Sequence, residues 1–363
     1  MRRTLFGALA CATGLALGWA PAHAAAAPAL SLFARGVDNP RGLSIGPDGT
    51  LYVASAGHAG PKCLDAKKQN CIGFSSRVLA IAPGGARRTV AKGLISAGGR
   101  DGTFTTGADG VSVAPDGKVY AVTTSGTRKD LQSAPKRVRD GAGKLFEIGS
   151  GTLRPIAALD ELEWKNNFDR IKGDRNSNPY AVLALPDRVI VADAGANTIL
   201  SVAPNGNVSV LAVLPSNGKA QPVPTSLALG PDGAVYAGEL SEGAGTGKAR
   251  VWRIPLDGGA PSVYATGLTA ITGLAFARDG SLYATELTTN FKKETAPGAI
   301  VKLAPGGGAR TLLKRSALVF PSGAAVGADG ALYVSNLSIL PARTPRKSPF
   351  RGAGGQILKI TGF

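Results

Sequence analysis

One unit of the sequence recurs six times, and that recurrence limits the folds open to the chain. The unit is an apolar-alternating segment, an Asp-Gly turn, and a second apolar segment that opens on an aliphatic residue followed by Tyr. It reads RGLSIGPDGTLYVAS from Arg41, DGVSVAPDGKVYAVT from Asp109, TSLALGPDGAVYAGE from Thr225, TGLAFARDGSLYATE from Thr272 and SGAAVGADGALYVSN from Ser322. A degenerate copy, YAVLALPDRVIVAD, starts at Tyr180. Apolar residues recurring with period two mark strands, and Asp-Gly accepts the positive φ of a tight hairpin cheaply. Each copy is followed by a second hairpin signal, as in RVLAIAPGGARRTVA from Arg77, TILSVAPNGNVSVLA from Thr198 and AIVKLAPGGGARTLL from Ala299. A unit is therefore a four-stranded antiparallel meander. The last three copies start at Thr225, Thr272 and Ser322, 47 and 50 residues apart, close to the length of a propeller blade. The chain reads as all-β, a six-bladed β-propeller in one domain over residues 25–363.

Closure of the ring has its own signal. After its Asp-Gly hairpin the sixth copy has only one further strand, GQILKI from Gly355. The segment LSLFARGV, from Leu30, resembles the outer-strand segment PSVYATGL from Pro261. The first strand is thus expected to complete the last blade, which removes an open sheet edge. Composition agrees: 50 Gly and 24 Pro in 363 residues rule out long helices and heptad coiled coils, while 44% apolar residues exclude wholesale disorder.

The first 24 residues read as a secretory signal peptide. Arg2 and Arg3 are followed by an apolar stretch from Leu5 to Trp19 and the small-x-small pattern Ala22-His23-Ala24. The stretch is too short for a membrane span. Cleavage near Ala24 lowers the net charge from +17 to +15 and leaves one His (His58) and two Cys (Cys63 and Cys71). The expected location is the bacterial periplasm or the medium. In an exported protein, two Cys eight apart in one loop read as a disulfide.

The segments NPRGLSIGPDGTLYVASAG, SNPYAVLALP, VADAGANTIL, QPVPTSLALGPDGAVYAGEL and VYATGLTAITGLAFARDGSLYATEL resemble the ScyD/ScyE family of exported bacterial propellers. The resemblance covers nearly all of the chain after residue 24, including the paired Cys. It implies fold and export; most members have no assigned activity. More distantly the chain is similar to NHL-repeat and gluconolactonase-type propellers, whose metal-ligand motifs it does not match residue by residue.

Aligned copies place two rings of residues at one end of the central channel. The collar is Arg41, Asp109, Tyr180, Thr225, Thr272 and Ser322; the second ring is Ser55, Thr123, Asp193, Glu239, Glu286 and Asn336. Asp193, Glu239, Glu286 and Asn336 are oxygen donors suited to Ca²⁺ or another divalent cation. The alternative is that these groups satisfy neighbouring backbone N–H groups or pair with basic side chains. The loops after the second strands surround the same mouth and carry a basic rim of Lys67, Lys68, Arg128, Lys136, Arg137, Arg139, Lys292, Lys293, Arg343, Arg346 and Lys347. An insertion at 160–176, with Trp164 and Phe168, is expected to fold over that face.

The absences narrow the chemistry. One His cannot build a His-based zinc site, and His58 stands beside no nucleophile motif. No dinucleotide or Walker fingerprint occurs. The rim lacks the interleaved aromatics that stack bases, so nucleic acid is not expected. The sequence points to an exported, monomeric binding or scaffold protein that takes an anionic small molecule, glycan, envelope polymer or protein partner at the channel mouth. The competing reading is a metal-dependent lactonase or hydrolase, with the cation polarising a carbonyl and Glu239, Glu286 or Asp109 as general base.

Overall fold

The computed structural model describes residues 28–362 apart from 150–151, 294–295, 306–307, 314–316 and 349. The expected signal peptide lies outside the described residues. Pro40–Ile45, Leu51–Ser55, Cys71–Ile81 and Arg87–Gly98 form the first blade, inner to outer, and a two-residue strand Lys62–Cys63 pairs with the start of the third. Blades two to five run Ala108–Ala158, Pro179–Val213, Pro224–Leu268 and Ile271–Leu313, each a four-stranded antiparallel meander. The sixth blade takes Ala324–Val326, Leu332–Asn336 and Gln356–Thr361, and its outer strand is Ala29–Arg35 from the chain start. Ala29 pairs with Thr361 and Arg35 with Gln356 in antiparallel register. The ring is therefore a six-bladed propeller closed between first and last strands, as the sequence indicates.

The turns follow from the repeat. The carboxylate of Asp48 accepts the N–H of Thr50 at 3.0 Å, and Gly49 takes a φ of 79° that a side chain would strain. The same Asp-to-backbone bond recurs at Asp116, Asp232, Asp279 and Asp329. Ring closure imposes a second demand. A Cβ on Gly273 would stand 2.5 Å from the carbonyl of Ser322, so this inner strand reaches its neighbour only without a side chain there. The same crowding explains why Gly42, Gly110 and Gly323 also follow their collar residues directly.

The core lies in the seams between blades. Tyr52, Val78 and Ala91 of blade one pack against Val111, Ala121 and Phe146 of blade two. Val37, Leu51 and Leu79 of blade one pack against Ala325, Tyr333 and Ile357 of blade six. Each fully buried aliphatic or aromatic side chain contributes about 1.5–3 kcal/mol of transfer free energy. No seam is dispensable, because each blade covers the faces of two others. Phe33 of the closing strand meets Tyr333 edge-on at 4.9 Å.

Candidate functional site at the channel mouth

Second strands end, and inner strands begin, at one end of the ring, so the loops after the second strands and the links between blades share that face. Inner strands line a channel of only about 40 Å³, which passes Asp109, Tyr180, Thr225 and Thr272. A cavity of this size holds a few waters and no organic substrate. The collar is satisfied in part: Nε of Arg41, Oδ1 of Asp109 and the Ser322 hydroxyl are buried without a hydrogen-bond partner. Thr225 donates to the carbonyl of Ile271 at 2.5 Å and Thr272 to that of Pro321 at 3.0 Å, each across a seam. Arg41 donates to the carbonyl of Thr105 at 2.8 Å and stands 3.6 Å from Asp109. Burial pushes the Asp109 carboxyl up to about 6, against the opposing pull of Arg41 and the Gly107 N–H. Ser322 is buried in its blade, and its hydroxyl has no hydrogen-bond partner.

The second ring turns away from the channel. Ser55 donates to the carbonyl of Asp38 at 2.7 Å and Thr123 to that of Gly141 at 2.7 Å. Asp193 accepts from the Ser177 hydroxyl and the Asn178 N–H, both at 2.6 Å, and from the N–H groups of Gly195 and Ala196 at 3.1 Å. Burial nevertheless raises Asp193 to about 6. Glu239 accepts from Ser241, from the indole of Trp252 at 2.5 Å and from Arg250, whose guanidinium lies 2.9 Å away. Glu286 accepts from the N–H of Thr269 at 2.7 Å; Asn336 accepts from that of Val319 and donates to the carbonyl of Ala317. In most blades the side chain thus fastens the backbone link that leads into its own blade.

This arrangement tests the expected metal set. A carboxylate already saturated by N–H and O–H donors, with a guanidinium beside it, is not a cation ligand. Asp193, Glu239, Glu286 and Asn336 occupy equivalent heights but face separate partners. Among the described residues no group of three His, Cys, Asp or Glu side chains converges. Asp193 and Glu239 spend their oxygens on protein donors rather than on an ion.

The two ends of the ring differ in charge. At the far end four of the five turn aspartates are paired: Asp116 with Lys118 at 2.6 Å, Asp232 with Arg253 at 2.6 Å, Asp279 with Lys302 at 3.3 Å and Asp329 with Lys359 at 2.7 Å. The ammonium of Lys359 holds the Asp329 carboxyl below its ordinary range. At the mouth, all eleven residues of the expected basic rim are exposed. Lys136 pairs with Asp140, and Arg137 lies 3.8 Å over the ring of Phe74. Among the described residues no carboxylate lies within ion-pair distance of Lys67, Lys68, Arg128, Arg343, Arg346 or Lys347. Loop 124–142 forms two short helices, α1 (Arg128–Gln132) and α2 (Lys136–Gly141). The insertion that follows blade two starts as α3 (Asp160–Asn166) and is tied to this loop by the Trp164 indole, which donates to the carbonyl of Gly126 at 3.0 Å. Cys63 and Cys71 form a disulfide inside the first basic loop.

Sequence reasoning missed the residues that join blade six to blade one. Asp38 accepts from the N–H of Ala342 at 2.6 Å, pairs with Arg77, and lies 3.3 Å from Nδ1 of His58. Asn39, buried with a φ of 44°, donates from Nδ2 to the carbonyls of Gly57 and Gly102, both at 2.8 Å. Its own N–H donates to the carbonyl of Leu340 at 2.7 Å. The signal available was the Asp-Asn-Pro run immediately before the first repeat; nothing local says what it grips.

No protein-family model matches the chain, and no curated protein sequence is similar to it. Its structure is similar to that of a glucose dehydrogenase-type oxidoreductase from Thermus thermophilus, at 17% identity over 92% of this chain and 100% of that one, with a TM-score of 0.57. It is also similar to the aldose sugar dehydrogenase of Streptomyces coelicolor, at 15% identity over 92% and 98% of the chains and a TM-score of 0.53. A protein described as a gluconolactonase aligns at 14% identity over 92% and 91%, with a TM-score of 0.52. At these identities the likeness is one of fold alone, that of the six-bladed propeller.

Proposed function

We propose that the chain is an exported binding protein of the ScyD/ScyE type whose channel mouth takes an anionic partner, such as an envelope glycan or another polyanion. One observation carries this reading: six rim cations crowd the mouth with no carboxylate partner among the described residues, whereas at the far end four cations pair with turn carboxylates, although Arg87, Arg88 and Arg278 there do not. Unpaired cations on one face raise the local concentration of anions and steer their approach. The narrow channel and the saturated second ring leave the surface loops as the place of contact. The commitment of Asp193 and Glu239 to protein donors weighs against a cation-dependent lactonase.

The test is binding of the purified protein to immobilised heparin and to polygalacturonate across a salt series. Affinity should fall steeply with salt, as it does when exposed charges dominate. Replacing Arg343, Arg346 and Lys347 by Glu together should weaken retention at least tenfold. Lys302→Gln with Lys359→Gln at the far end should leave it unchanged. Salt-independent retention, or equal losses from the two ends, would sink the proposal.

A further inference from the structure

We infer that the groove at the seam of blades six and one is a binding site for an acidic saccharide, a sugar whose carboxylate or phosphate meets Arg100, Arg343 and Arg346. The inference deepens the reading above and rests on it. The groove has a volume of about 740 Å³, within the range of small-molecule sites and sufficient for one or two sugar rings. The three arginines line it from two walls, the link after blade one and the long loop of blade six. All three are exposed, and among the described residues none has a carboxylate at ion-pair distance. A guanidinium presents a planar fork that matches a carboxylate or phosphate bidentately, which an ammonium cannot do.

The two acids in the groove offset only part of this charge, so among the described residues three guanidiniums face one unpaired carboxylate, that of Asp101. Asp101 spends Oδ1 on the N–H and hydroxyl of Thr103 at 3.0 and 2.8 Å. Asp38 is buried and paired with Arg77. The walls are set before any ligand arrives. Through Gly57, Gly102 and Leu340, Asn39 holds three loops to one side chain and its own backbone, and Gly102 sits so close to His58 and Pro341 that a Cβ there would lie 3.1 and 3.0 Å from theirs. Preorganisation of this kind lowers the ordering cost of binding. His58 has its Nδ1 at Asp38 and a side chain 57% exposed, so Nε2 is the ring nitrogen open to a sugar hydroxyl.

Phe104 supplies the apolar element. It belongs to the same link as Arg100, is 64% exposed, and takes a φ of 52°. Its N–H donates to the carbonyl of Ile339 at 2.8 Å, which ties its backbone to the segment leading into the loop of blade six. A left-handed φ costs a non-glycine residue about 1–3 kcal/mol, and a Phe this exposed recovers little of that by burial. Phe104 stands two residues from Gly102 of the groove wall, and we take its exposed ring as the surface that stacks on the apolar face of a pyranose.

Isothermal titration with digalacturonate, glucose 6-phosphate and neutral galactobiose tests this. At least one of the acidic ligands should bind, with the neutral disaccharide at least tenfold weaker; the two acidic arms separate carboxylate from phosphate. Arg343→Ala with Arg346→Ala should weaken acidic binding at least tenfold. Phe104→Gly is the decisive variant: it should raise thermal stability by relieving the positive φ, yet weaken the saccharide at least fivefold. Equal binding of the neutral disaccharide, or a Phe104→Gly protein that is more stable with unchanged affinity, overturns the inference. Polyanion binding that rim reversal abolishes, with no small acidic saccharide bound, would overturn the groove alone; no polyanion binding would remove both readings.

Discussion

The carboxylate of Asp38 accepts the backbone N–H of Ala342, 304 residues later in the chain, at 2.6 Å. The bond sits at the seam where the ring closes and fastens the long loop of blade six to the strand that opens blade one. The same carboxylate meets Arg77 and His58. Burial pushes its pKa up, but the Ala342 N–H, Arg77 and His58 together outweigh that and hold it below the ordinary range.

Asp38→Ala should therefore destabilise the fold by about 2–3 kcal/mol, the scale of hydrogen bonds to a charged group. Because the folded pKa is depressed, the contribution is complete above the unfolded value of 3.8 and is lost as pH falls through the folded value. Urea unfolding at pH 7 and pH 3 checks this: the substitution should cost less at the lower pH, and an equal cost at both would refute the electrostatic part.

Asp109 behaves with the opposite sign. Its folded pKa of about 6 exceeds the unfolded 3.8, so the folded chain binds more protons between those values. Stability from this group is greatest at low pH and declines as pH rises through 6, by roughly 3 kcal/mol at most. Asp109→Asn should flatten the Tm profile between pH 4 and pH 6.5. Calorimetry that found the same slope in both proteins would exclude the assignment.

Glu239 is buried with Arg250 and Trp252 as donors. Glu239→Gln leaves the guanidinium without its charge partner and should cost on the order of 3 kcal/mol, as one-sided loss of a buried pair does. If the residue acted as a metal ligand, the loss would appear instead as chelator-sensitive stability in the parent and its absence in the variant. Thermal melts with and without EDTA distinguish the two outcomes.

Deletion of residues 1–35 should leave the ring unable to close. It strips Gln356–Thr361 of its partner strand and uncovers Tyr333. An exposed central strand is a template for association. Size-exclusion chromatography after refolding should show aggregates; a stable monomer would mean that the closing strand is dispensable.

Most of the ring was legible in the chain because its causes are local. Alternation with period two, Asp-Gly turns and the aliphatic-Tyr start of each second strand act over fewer than twenty residues. The resemblance of Leu30–Val37 to an outer strand extended this to closure. Ring heights were legible too, since equivalent repeat positions must share a level. The direction of each side chain at that level was not. Asp193 turns to Ser177 and Asn178, and Glu239 to Arg250 and Trp252, because donors from the neighbouring link and strand reach them first.

What the sequence by itself determined is the number of blades, their turns, the disulfide and the excess of positive charge in the loops. Tertiary structure decided which of those charges stay unpaired and where they face one another. Asp38 and Ala342, or Arg100 and Arg346, are brought together only when the last blade meets the first. Local physical chemistry shapes each blade, but a groove at the seam exists only once the circle is complete.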